Sequence, residues 1–309
     1  MELALPEAVA IREVGPRDGF QNEPEVIATA DKVRLIEMLA ASGVPRLEVT
    51  SFVRADVIPQ LADAEAVLAA IDVGEEVELS VLVPNERGLE RALAQRERFH
   101  TASFFMSASE AHNERNVRRS VEQSLRELER AIPRARGEGL RAAAVISVSF
   151  GCPYEGVVPP ERVLAIAARL AAAGAGEIGF GDTTGMANPR QVAAFFAAAA
   201  TALGSEVELT AHFHNTRGQG LANVLAALAS GCRSFESSFG ELGGCPVPPG
   251  ATGNIATEDL VGMLEEMGVA TGVSLERMLA AAAAARELLG RPLGSHTLLA
   301  GPIDWHGGL

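Results

Sequence analysis

The sequence is poor in aromatic residues, which fill only 5% of its 309 positions, and poorer still in cysteine. Its three cysteines, Cys152, Cys232 and Cys245, are odd in number and far apart, so they make no disulfide framework. Reduced thiols in a cytoplasmic protein follow from that. Basic residues are also in deficit: 26 Lys and Arg against 40 Asp and Glu, a net charge of −14. This excludes an ordinary nucleic-acid binder, whose affinity rests on cations meeting phosphates. It does not exclude an anionic substrate, because a local Arg or a metal ion overrides the global sign. No apolar run reaches the roughly 20 residues of a membrane helix; the alanine-rich stretch 192–203 is shorter. The opening MELALPEAVAIREV carries acid where a signal peptide has a basic region. A soluble, cytoplasmic chain without membrane contact is expected. No Pro/Ser-rich linker or charge block divides it, so a single domain over 1–309 is expected, with a barrel over about 8–270 and a C-terminal helical extension over about 271–309.

What is present is 48% apolar and 21% charged residues, enough to bury a substantial core. Short β-rich runs alternate with helical patterns along the whole chain. The predicted strands are Ala8–Val14, Arg46–Phe52, Glu76–Val83, Phe99–Met106, Arg141–Phe150, Glu177–Gly181, Glu206–His214 and Ser234–Phe239. Predicted helices between and after them are Thr29–Ser42, Asp63–Ala70, Val121–Ala131, Pro160–Ala173, Pro189–Leu203, Leu221–Ser230, Glu258–Met267 and Leu275–Leu289. In the first, Val33, Ile36 and Leu39 recur at helical spacing and Gly43 stands where a C-cap is wanted. Strict β-α alternation implies a parallel sheet. Eight repeats imply closure into a (β/α)8 TIM barrel, with an open sheet as the alternative. A dinucleotide fold is disfavoured, because no G-x-G-x-x-G opens the first helix.

Active sites of such barrels lie at the C-terminal ends of the strands, and the polar residues gather there. Strand one leads into Gly15-Pro16-Arg17-Asp18-Gly19-Phe20-Gln21-Asn22-Glu23, and strand two carries Glu48. Strand three leads into Pro84-Asn85, strand six into Asp182-Thr183-Thr184-Gly185, and strand seven carries His212-Phe213-His214-Asn215. Residues i and i+2 of a strand share one face, so His212 and His214 can meet one metal ion; the alternative is a hydrogen-bonded pair. Asp18 offers a hard oxygen. Such ligands with open positions suit Mg²⁺ or Mn²⁺ and do not resemble a closed structural zinc site. Arg17 is either an ion-pair partner of Asp18 or a charge that stabilises an anionic thioester oxygen. Cys245 sits in a Gly/Pro-rich segment suited to a lid, though a buried, inert cysteine is the commoner case. Cys152 and Cys232 are expected to be structural, and His100, His112, His296 and His306 to lie on the surface or in the tail.

The segments VGPRDGFQNE (14–23), EVTSFV (48–53), GCPYEG (151–156), GDTTG (181–185), HFHNTRGQGLAN (212–223) and GGCPVPPGATGNIATEDLV (243–261) resemble the 3-hydroxy-3-methylglutaryl-CoA lyase family of metal-dependent barrel lyases. The likeness spans about residues 9–290. It implies that Asp18, His212, His214 and Asn254 hold a divalent cation, and that Arg17, Glu48, Asp182, His212 and Cys245 serve catalysis with Asp18. Arg17 and Gln21 become expected substrate contacts. For the CoA moiety, Asn85 and the loop after strand four are the candidates. The implied reaction is retro-Claisen cleavage of a CoA thioester to acetoacetate and acetyl-CoA. A homodimer or higher homo-oligomer is the expected assembly. Departures are Asn215 where the family often has Asp, Thr184-Gly185-Met186 where Ile-Gly-Val is common, Val247 where an aromatic usually follows Cys-Pro, and an unusual loop over 110–116. They spare the metal set and touch surfaces that shape the pocket. Citramalyl-CoA, or a longer branched 3-hydroxyglutaryl-CoA, is therefore an alternative substrate. Condensing enzymes of the isopropylmalate and homocitrate synthase type, and a barrel without catalysis, are the other readings.

Overall fold

In the computed structural model, which describes residues 5–244 and 253–305, eight parallel strands close in sequence order. They are β1 (Ala10–Glu13), β2 (Arg46–Ser51), β3 (Glu78–Val83), β4 (Thr101–Ser107), β5 (Arg141–Ser147), β6 (Glu177–Asp182), β7 (Glu208–Phe213) and β8 (Ser234–Ser237). The expected TIM barrel is present. Its strands carry apolar residues on alternate positions. Ile11, Leu47, Val81, Phe104, Ile146, Phe180, Phe213 and Phe235 are buried on the side that meets the helices. The other parity points into the barrel and is largely polar, which is why the strands alternate instead of reading as continuous apolar runs.

The lower interior is ionic. Arg12 of β1 donates to both carboxylate oxygens of Glu177 at 2.6 and 2.7 Å and to Glu236 at 3.3 Å. Burial opposes the Arg12 charge, but Glu177, Glu236 and Glu78 outweigh it and hold the guanidinium ionised. Arg46 pairs with Glu208, and Arg141 with Glu78. These residues rim a cavity of about 440 Å³ at the N-terminal end, where the charges already satisfy one another.

The outer helices are α1 (Thr29–Ala41), α2 (Ala64–Ala70), α3 (Glu86–Leu93), α4 (Glu110–Val117), α5 (Val121–Gly137), α6 (Pro160–Ala172), α7 (Pro189–Leu203), α8 (Gly220–Ala229), α9 (Thr257–Glu266), α10 (Leu275–Leu289) and α11 (His296–Ala300). Gly43 does terminate α1, at φ 90°. Its backbone comes so near Gly272 that a Cβ would lie 2.6 Å from the Gly272 carbonyl oxygen. Helix α10 packs between α9 and α1 and completes the outer ring. No helix among the described residues is long and apolar enough to cross a membrane.

Three differences from the sequence reading have local causes. Helices α3, α4 and α11 are additional, each started by a cap: the Asn85 side chain accepts from Gly88 N at 2.9 Å, Ser109 Oγ from His112 N at 3.2 Å, and Ser295 Oγ from Leu298 N at 3.1 Å. Helix α5 runs past Ala131 and through Pro133 to Gly137. The lost backbone bond is offset by the inner face, where Leu128, Ala131, Ile132 and Ala135 are buried. Strand β5 stops at Ser147 instead of Phe150, because Val148 turns into the left-handed region at φ 53°.

Candidate metal and lyase site

After β1 the chain makes a single π-helical turn, Gly15–Gly19, in which Arg17 N and Asp18 N both donate to Val14 O, at 3.1 and 2.7 Å. Turns of this kind recur at functional sites because they redirect successive side chains. Glycine is required at Gly15, where a Cβ would stand 2.4 Å from the Phe239 ring. This turn throws Arg17 and Asp18 toward the C-terminal mouth of the barrel, both almost fully buried.

Arg17 is held by two carboxylates. Its Nε donates to Glu48 Oε2 and its Nη1 to Asp18 Oδ1, each at 2.5 Å. Asp18 also accepts from Gln21 Nε2 at 2.9 Å and from Asn254 Nδ2 at 2.7 Å. Burial raises the Asp18 pKa, but the charges of Arg17, His212 and His214 prevail and bring it down to about 2. The carboxylate is therefore ionised at any working pH.

His212 and His214 both point inward from β7 and its end. Their Nε2 atoms face each other at 3.1 Å. His212 Nδ1 is engaged by Glu236 Oε2 at 2.9 Å. Burial lowers the His212 pKa, yet Glu236 and Asp18 raise it overall. Burial and the neighbouring His212 push His214 down to about 3, so it is neutral. Asp18, His212 and His214 bring ligand atoms within 4.8 Å of one another. An isolated bridge between His214 and Asn254 brings the amide beside them, and Asn254 Oδ1 is buried without a hydrogen-bond partner.

This donor set fits a divalent cation. A carboxylate, two imidazoles and an amide oxygen, with further positions left to solvent or substrate, match Mg²⁺ or Mn²⁺ chemistry. Two imidazole nitrogens aimed at one another and an unpartnered buried amide oxygen are lone pairs that a shared cation would satisfy. The Glu236–His212 contact is the carboxylate–histidine arrangement that orients a ligand and raises its basicity.

The remaining sequence candidates divide. Glu48 is joined to Arg17 and touches none of the three ligands by a hydrogen bond. Its own pKa is raised, by burial before anything else. Gln21 spends its amide on Asp18. Asp182 shares the outward parity of Phe180; its Oδ1 accepts from Met186 N and Ala187 N at 2.7 and 3.0 Å, holding the following turn, while Oδ2 has no partner. Burial takes the Asp182 pKa up to about 7. Asn85 is the α3 cap just described. Cys245 and His306 lie outside the described residues. Cys152 and Cys232 are buried free thiols, as expected. His112 is a correction: it is not on the surface but buried, with Nδ1 2.6 Å from Ser107 Oγ. Its exposed-looking, polar helix is folded back over the end of β4.

Three carboxylates went unnoticed in the sequence: Glu13, Glu236 and Glu258. Glu236 pairs in register with His212 across β7 and β8, a signal that needs the strand alignment to be visible. Glu13 accepts from Gly15 N, Phe239 N and Thr257 Oγ1. Glu258 accepts from Gly240 N. The two tie the Arg17–Asp18 turn to the loop after β8. Burial raises them to about 7 and about 8.

The HMGL-like family model matches residues 8–284. The chain belongs to the HMGL-like family. This HMGL-like protein is 45% identical over 296 residues to the hydroxymethylglutaryl-CoA lyase YngG of Bacillus subtilis, covering 96% of this chain and 98% of that one. It is 43% identical over 307 residues to the (R)-citramalyl-CoA lyase of Chloroflexus aurantiacus, covering 96% of each. Among solved structures, it superposes with a TM-score of 0.93 and 37% identity on an HMG-CoA lyase from Acinetobacter baumannii in complex with coenzyme A and 3-methylmalate, over 98% of both chains.

Proposed function

We propose that this protein is a divalent-metal-dependent carbon–carbon lyase that cleaves 3-hydroxy-3-methylglutaryl-CoA to acetoacetate and acetyl-CoA. The observation that carries this reading is the convergence of Asp18, His212, His214 and the Asn254 oxygen beside a buried, permanently charged Arg17. When bound, the cation supplies a Lewis acid for the oxygens around C3, and Asp18, His212, His214 and Asn254 are the residues that hold it.

The chain's own groups serve the rest of the retro-Claisen step. The C3 hydroxyl gives its proton to a base in the site, the role assigned to His212, the C2–C3 bond breaks, C3 becomes the ketone of acetoacetate, and the electron pair passes to the thioester as the enolate of acetyl-CoA. Arg17 stabilises the developing enolate oxygen; Glu48 positions Arg17 for this. Donors preorganised toward developing charge act strongly where water is excluded. Proton return to C2 falls to His212 or to Cys245. Gln21 positions Asp18. The CoA portion enters over the loops after β3 and β4, near Asn85.

A second reading keeps the site and changes the acyl group. The identity to a citramalyl-CoA lyase is nearly as high as to a hydroxymethylglutaryl-CoA lyase, which supports testing both. Purified protein is offered each thioester with and without Mg²⁺ or Mn²⁺, and acetyl-CoA release is followed. Metal-dependent release with acetoacetate as coproduct is expected. Release from citramalyl-CoA alone moves the specificity. Silence with both thioesters and every metal leaves a non-catalytic barrel.

A further inference from the structure

The interior wall that faces β8 and β1 across the barrel belongs to β4 and β5. In these strands the helix-facing residues Phe104, Met106, Ala144 and Ile146 are fully buried. Phe105 and Val145, on the inward parity between them, are only half-buried. A strand residue hidden from the outer solvent by helices keeps exposure only if it faces the open mouth of the barrel. Phe105 pairs in register with Val145, and Val145 with Gly179 of β6.

Gly179 is inward-facing and lacks a side chain, and Val145 leans into the space in front of it: a Cβ on Gly179 would stand 3.1 Å from Val145 Cγ2. The strands of such a barrel are staggered by about one residue per strand. Following the pairings Val145–Gly179 and Gly181–His212 with that stagger brings Val145 to the height of His212. The apolar wall therefore stands level with the metal ligands. Immediately beyond it, Val148 holds φ 53°, a conformation that costs a β-branched residue free energy and that persists where a site demands it.

The substrate's stereochemistry decides what this wall meets. Carbon C3 carries four groups: a hydroxyl, a carboxymethyl arm, a thioester arm and an alkyl group. The first two need the cation side, and the thioester needs Arg17. Only the alkyl group gains by leaving water for Phe105 and Val145. Resting on the function proposed above, we propose that Phe105, Val145 and Gly179 form the subsite that receives the C3 alkyl substituent, and that Val145 sets the size admitted.

The test compares two thioesters, 3-hydroxy-3-methylglutaryl-CoA and its 3-ethyl homologue, as a ratio of kcat/KM within each enzyme. One methylene in an apolar subsite is worth about 10-fold or more. Val145→Ala is expected to raise the ethyl-to-methyl ratio about 10-fold, and Val145→Phe to lower it about 10-fold, with Mn²⁺ affinity unchanged in both. Because the ratio is internal to each protein, partial loss of folded enzyme cancels. An unchanged ratio in both variants overturns the assignment. Absence of cleavage of either thioester by the unsubstituted protein is a different result: it removes the 3-hydroxy-3-methylglutaryl-CoA reading on which the subsite rests, and release from citramalyl-CoA then separates a changed specificity from a barrel without lyase activity.

Discussion

His212 and His214 present Nε2 to Nε2 across 3.1 Å, with no room for a proton on both nitrogens. Burial holds His214 neutral, near a pKa of 3, and Glu236 favours a proton on His212. The arrangement resolves most simply when a cation takes both lone pairs. His214→Ala is expected to weaken Mn²⁺ binding by more than about 100-fold, beyond what loss of a supporting contact costs. Titration followed by the Mn²⁺ electron spin resonance signal reads this directly; undiminished affinity would remove His214 from the ligand set.

Glu236 acts one contact further out. Glu236→Gln keeps the size but withdraws the charge facing His212 Nδ1. In metal-free protein the His212 pKa is expected to fall, since its raised value depends on Glu236. Metal affinity is expected to drop roughly 10–100-fold. Imidazole NMR titration and calorimetry check the two effects separately, and a His212 pKa that does not move sinks the positioning role.

In the proposed reaction Arg17 stabilises the enolate oxygen, so Arg17→Gln is expected to lower kcat at least about 10²–10³-fold. It also strands Glu48, which is buried against Arg17. Breaking a buried pair costs up to roughly 3–5 kcal/mol, less here because the Glu48 carboxyl is already raised and takes up a proton. The Arg17→Gln/Glu48→Gln double variant is expected to recover thermal stability without recovering turnover. Recovery of both would make Arg17 structural.

Glu258 titrates near 8 in the folded protein, far above a free glutamate, because it is buried. A raised folded pKa stabilises below the unfolded pKa of about 4.3, and that stability is lost as pH rises through about 8. Stability is expected to decline between pH 5 and 9, by an amount on the order of a few kcal/mol. Glu258→Gln is expected to make that decline shallower, leaving the share of Glu13 and Asp182, which burial raises to about 7. Urea unfolding at both pH values measures it; equal pH slopes for the two proteins would contradict the assignment.

The β/α alternation, the inward placement of His212 and His214, and the turn carrying Arg17 and Asp18 were all legible in the sequence, because each is written in residues a few positions apart. Helix α4 was not: EAHNERNV has almost no apolar stripe, and it forms because Ser109 caps it and the Asn113 side chain donates to Arg119 O, Ser120 O and Ser124 Oγ. His112 inside it looked like a surface residue for the same reason. Glu13, Glu236 and Glu258 looked like ordinary acids, since nothing local distinguishes a buried carboxylate from a solvated one.

By itself the sequence determined the strand and helix periodicities, hence the barrel, and a set of ligand types at strand ends. Tertiary structure alone decided which of them meet. Asn254 reaches Asp18 across 236 positions of chain, and Glu236 reaches His212 only through the register of β7 on β8. The physical reason is range. Hydrophobic periodicity acts between neighbours within a turn or a strand, whereas desolvation and charge pairing depend on what barrel closure brings together. Those long-range terms make His214 neutral, keep Asp18 ionised and hold Arg17 in place.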